Sequence, residues 1–212
     1  MLFSISELID VCIMTLGVGF IFQDVFTSIK PKTVQEFDPL KKYQVQGKAR
    51  STNTSTVSQY FSSIFSSNLG FAILVTAPAV ILHELMHKLV AIGYGLQATF
   101  HAAYFWLGLG IILKMLNFGF IFFVPGYVSI SGNPLPLQNA LIAFAGPGTN
   151  LALFAIASLM LKQEAFLKKH RRYIPFLALT KRINGFLFIF NMLPLPIFDG
   201  WKVYLGIYHA FF

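Results

Sequence analysis

Long apolar runs separated by short basic segments constrain this chain more than any other feature. Residues 8–29, 70–94, 102–124, 137–161 and 173–212 are predominantly apolar. About 20 such residues cross the hydrocarbon core of a bilayer. Only 11% of the residues are charged, where a soluble domain carries about 25%, and the mean hydropathy is +0.67. These features predict an all-α polytopic membrane protein, with about five to six transmembrane helices in one compact bundle and no room for a second sizeable domain. The 24 Phe residues suit lipid-facing and helix-packing surfaces.

The net charge of +8 raises the question of nucleic acid. The basic residues instead flank the apolar runs, where anionic lipid and topology signalling account for them, so the lipid bilayer is the expected partner and nucleic acid is not. The single cysteine, Cys12, excludes an internal disulfide and thiolate metal clusters. No cleavable signal peptide is evident, since the N-terminus lacks a basic region and carries Glu7 and Asp10. Localisation is therefore expected to be multi-pass and integral, in the cell membrane.

Three regions follow from the pattern. Residues 1–29 read as an N-terminal transmembrane helix, its ends drawn toward the interfaces by Asp10, Gln23 and Asp24. Residues 30–69 read as a polar basic linker and interfacial segment, with a Ser/Thr/Asn-rich piece at Ser51–Ser58. Residues 70–212 form the core. Within it, Ser67 or Asn68 caps a helix running to about Tyr94, where Gly93 and Gly95 end it. The glycine-studded run 102–124, with Lys114 and Asn117, either spans or dips in and returns. The alternation over Gly126–Gly132 predicts a short membrane-associated β-strand or hairpin. A helix over about 137–161 is predicted to break at Ala145-Gly146-Pro147. Pro194 and Pro196 exclude helix within 191–200, so the chain is expected to run extended there.

His83-Glu84-Leu85-Met86-His87 carries the chemistry. On a helix, residues four apart share a face one turn apart, so two imidazoles at that spacing grip one ion. Glu84 lies nearby but off the ligand axis, placed to hold a water and take its proton. With five His in the chain, random order gives roughly 0.002 such pentapeptides, so the match is specific. Ionisable groups inside a membrane helix also point to function by default. A catalytic zinc needs a third protein ligand. Asp199 alone among the acidic residues lies in an apolar block on a proline-broken segment. His101 and His209 are weaker candidates, and His170 sits in a basic loop.

These residues resemble the site-two protease family of intramembrane zinc metalloproteases. Three separated pieces match in family order: His83–His87 with Ala91 four residues on, then Ala145-Gly146-Pro147-Gly148-Thr149-Asn150, then Asn191–Gly200 as N-x-x-P-x-P-x-x-D-G. The match covers about residues 70–205. It implies His83, His87 and Asp199 as ligands of one Zn2+ per chain and Glu84 as the catalytic general base. It also implies that Asn191 and Asn150 contact substrate or support the site, and that Pro194 and Pro196 shape the loop presenting Asp199. The implied partners are membrane proteins whose transmembrane helices are cut. Two departures stand out: Met86 replaces a small residue and is expected to narrow the space beside the metal, and the glycine pair of the family's strand region is missing. No PDZ or cystathionine-synthase-type module is evident, which leaves a bare catalytic core.

Other readings predict different observations. A peptidase whose third ligand is a downstream Glu would have to use Glu164, in a basic loop. A catalytically inactive protein that binds transmembrane helices would hold zinc without hydrolysis, and an ion transporter would be indifferent to chelation. Orientation is signalled two ways. If 102–124 does not cross, basic segments 30–50 and 162–172 share a face, which the positive-inside rule makes cytosolic. The resemblance instead places the loop after the His83–His87 helix in the cytosol.

Overall fold

A computed structural model describes residues 3–24, 67–118 and 125–212. Residues 30–66 of the linker expected over 30–69 and the last part of the expected first span lie outside the described residues, while residues 67–69 belong to the start of the next helix. Helix α1 (Ile5–Phe22) opens with a capping box, in which the Ser4 side chain accepts from the Glu7 N–H and Glu7 reaches back to Ser4. Its inner stripe, Met14 and Val18, packs with Phe100, Ala102 and Leu107. Ile9, Ile13, Leu16 and Phe20 on the other side are exposed. A helix apolar on both faces needs a nonaqueous surrounding on its outer one.

Helix α2 (Asn68–Gly93) is capped by Ser67, whose side chain accepts from the Gly70 N–H, as the sequence indicates. It ends at Gly93, and Gly95 beyond it has φ +77°, a left-handed conformation that glycine adopts without strain. Strand β1 (Gln97–Ala102) follows, then helix α3 (Tyr104–Met115) and strand β2 (Gly126–Ser131). The strands pair antiparallel from Gln97↔Ser131 to Ala102↔Gly126. The intervening segment therefore leaves and returns at one point of the sheet. The sequence foretold β2 but not β1.

Helix α4 (Pro136–Met160) runs unbroken through Pro147, against the expected break. Proline lacks the N–H that would bond the Ala143 carbonyl, but its φ is helical. Packing against α2 holds both halves in line, and Pro147 itself is fully buried. A short helix α5 (Glu164–Lys169) and a 3-10 turn (Arg171–Tyr173) lead to α6 (Ile174–Asn191) and α7 (Asp199–Phe211). Between α6 and α7 the chain folds into tight turns rather than running extended. Leu195 N–H bonds to Leu193 C=O at 2.8 Å, and Phe198 N–H to Leu195 C=O at 2.9 Å. Both helices lie along α4: Asn184 of α6 bonds Asn150, and Gly206 of α7 abuts Pro136 and Ala140.

The molecule is thus mostly helical, with one small two-stranded sheet. Among the described residues three helices, α1, α2 and α4, are long and apolar enough to cross a membrane. Helix α6 matches α1 in length but carries Lys181, Arg182 and Asn184 at its centre.

Candidate metal centre

Sequence spacing sets the first two groups. His83 and His87 stand one turn apart on α2, their rings 4.7 Å between centroids and inclined by 78°. Their Nε2 atoms approach to 3.1 Å. The turns after α6 bring in Asp199 at the start of α7, with Oδ2 3.1 Å from His83 Nε2 and 3.2 Å from His87 Nε2. Both histidines are buried.

The far ring nitrogens decide what these atoms are. His87 Nδ1 lies 2.7 Å from the Ile142 carbonyl, which only accepts, so Nδ1 carries the proton. His83 Nδ1 lies 2.5 Å from Asn150 Oδ1. The Asn150 amide nitrogen is committed elsewhere, donating to Ala79 C=O at 3.1 Å and Asn184 Oδ1 at 2.9 Å. His83 Nδ1 therefore donates as well. Both Nε2 lone pairs then face each other and a carboxylate oxygen, an arrangement that repels itself unless a cation stands among them. Ligand atoms about 2.0–2.1 Å from a tetrahedral zinc stand roughly 3.3 Å from one another. The three donors match that spacing and fit one zinc, each imidazole fixed through its other nitrogen.

Helix α4 approaches closely at Gly146, where a Cβ would fall 2.6 Å from His83 Nε2. Glu84 projects into the same cavity, of about 620 Å³, which His83, His87 and Asp199 also line. It forms no hydrogen bond or ion pair with a described residue, so its carboxylate is available to a ligand. Val128 and Ile130 of β2, Asn139, Asn191, Arg182 and Lys202 border the cavity too, within a largely apolar wall.

Not every expected site residue meets the ligands. Asn150 touches His83, whereas Asn191 lines the cavity and donates to the Leu187 carbonyl. Pro194 and Pro196 are exposed on the turns before Asp199. Met86 is off the cavity wall, so it does not narrow the space beside the ligands. His101 faces Asp10 at 3.9 Å instead, and His209 is exposed near the end of α7. Asp10 is buried. Sequence reasoning missed Asn184, which holds Asn150 in place, and the Ile142 carbonyl. An Asn near the middle of a largely apolar block was the available signal for the first; nothing marks a backbone carbonyl.

Two imidazoles on a membrane-length helix, a carboxylate at the start of α7 and a free glutamate beside them are the groups a metallopeptidase-type centre uses. A relative carries that class in its name. The chain is 43% identical over 136 residues to the protein named "Putative zinc metalloprotease MJ0611" of Methanocaldococcus jannaschii, covering 62% of this chain and 68% of that protein. The chain belongs to that zinc metalloprotease family. No family model and no solved structure matches it.

Proposed function

We propose that the chain is an intramembrane zinc endopeptidase of the site-two protease type, hydrolysing peptide bonds in or near transmembrane helices of other membrane proteins. The carrying observation is the convergence of His83, His87 and Asp199, beside a free Glu84, in a cavity that α1, α2 and α4, three helices of membrane-spanning length, help to line. In this reading the five to six transmembrane helices would include α6 and the 13-residue α7 beside the three long ones, in a multi-pass protein of the cell membrane.

Bound by the three ligands, zinc supplies a Lewis acid that polarises the scissile carbonyl and acidifies water. Asn150 and the Ile142 carbonyl keep both imidazoles aimed at it. Glu84 takes the proton from the attacking water and returns it to the leaving amine. Asn191 contacts substrate from the cavity wall, and Pro194 and Pro196 stiffen the turns that present Asp199. A helical substrate has its carbonyls already bonded, so it must unwind locally and lie extended. The outer edge of β2 receives such a strand by β-augmentation.

Zinc per chain in detergent-purified protein is the first test, because it needs no substrate. About one zinc in the native protein and a large loss in Asp199→Ala are expected. Glu84→Gln should keep the metal and abolish cleavage of a transmembrane substrate; retained cleavage would refute the assignment of the base.

A further inference from the structure

Outside the metal centre, the most completely engaged charged group among the described residues is Glu7, only 3% exposed. It pairs with Lys88, which is 2% exposed and adjacent to His87. Glu7 Oε1 accepts both from the Lys88 ammonium and from the Phe100 N–H, the latter at 2.7 Å. Its Oε2 accepts from the Ser4 N–H at 2.8 Å. One carboxylate therefore joins the start of α1, the zinc-site helix and β1.

Stability alone does not require this arrangement, since well-packed apolar residues often replace a buried ion pair without loss. An apolar pair would leave the Phe100 N–H without an acceptor. Backbone groups of a strand alternate between its two edges. The Ala103 N–H bonds across to the Pro125 carbonyl at 3.1 Å, so Phe100, Ala98 and Ala102 point to the outer edge of β1. By the same alternation Gly126, Val128 and Ile130 point to the outer edge of β2, and all three border the cavity of His83, Glu84 and Asp199. Whatever fixes β1 sideways also fixes that edge relative to the ligands.

We propose that Glu7 and Lys88 are positioning residues, locking the β1–β2 sheet to the zinc-site helix so that an extended peptide backbone on β2 is held in reach of the metal. The inference rests on the proteolytic reading above, and its test separates the two. Three proteins are compared: native, E7Q/K88M, whose amide oxygen still accepts from Phe100, and E7L/K88M, which lacks an acceptor. Each is assayed for zinc content, for affinity toward acetohydroxamate, which needs only the metal, and for affinity toward a tripeptide hydroxamate, which needs the metal and the strand edge.

All three should hold zinc and bind acetohydroxamate alike. E7L/K88M should bind the tripeptide probe about tenfold more weakly or worse, and E7Q/K88M, which keeps the Phe100 acceptor but loses the tie to α2, should fall between it and native; native-like affinity in E7Q/K88M would remove Lys88 from the proposal. Equal tripeptide affinity in E7L/K88M would overturn the proposal, as would loss of zinc, which would make the pair a support of the metal helix instead. In the native protein, hydrogen exchange gives a check without variants: the Phe100 amide should be strongly protected, and exchange at the rate of an exposed loop would also overturn it. Native protein without zinc would instead refute the proteolytic reading itself.

Discussion

Each imidazole of the site is oriented by the nitrogen that does not face the other ligands, and for His83 the orienting group is a single buried amide. Asn150 is wholly buried, and its three hydrogen bonds reach His83, Ala79 and Asn184. Replacing Asn150 with Ala frees the His83 ring to rotate and switch tautomer, so zinc affinity should fall by about 10–100-fold. Competition against a chromophoric chelator measures this, and an unchanged affinity would show that ring packing alone orients His83. At this scale much was legible. The pentapeptide declares itself because few other structures need two His and a Glu at helical spacing in apolar sequence. Glu7 and Lys88 were not legible as partners, because an ion pair between residues 81 positions apart leaves no local pattern.

Between elements, contact is governed by where a side chain is missing. A Cβ on Gly200 would lie 2.6 Å from the Met192 carbonyl carbon and 2.8 Å from the Leu193 carbonyl oxygen. Backbone atoms on tight turns cannot yield as a flexible side chain does. Gly200→Ala should therefore push the start of α7 away from the turns and carry Asp199 with it. The expected result is most of the zinc lost with the helical circular-dichroism signal retained; full zinc content would mean that the turns adapt. The helices themselves were mostly readable, from Ser67 and Gly93 at the two ends of α2 to the prolines that end α6. Two elements were misread for physical reasons. Pro147 signals a break locally, but packing against α2 overrides it. Strand β1, Gln-Ala-Thr-Phe-His-Ala, has weak alternation, and its partner lies beyond an apolar helix, so only pairing with β2 reveals it.

For the whole molecule, the sheet fixes how the long helices run. It joins the C-terminal end of α2 to the N-terminal end of α4, which puts those two ends on one side and Asn68 and Met160 on the other. Helix α1 runs opposite to α2, since Glu7 meets Lys88 at one end and Gly19 abuts Ile73 at the other. The basic segment 162–172 therefore lies on the side away from the sheet. Charge bias puts that side in the cytosol, whereas the site-two protease resemblance puts the sheet side there. Charge bias is a statistical preference that acts during insertion, whereas the resemblance rests on three separate motifs. The proposed orientation is thus sheet side in, basic side out. It is tested in a Cys12→Ser background carrying Lys168→Cys, whose native side chain is 73% exposed. A membrane-impermeant maleimide added to intact cells should label this cysteine before lysis. Labelling only after lysis would assign the basic side to the cytosol and the sheet side to the outer face.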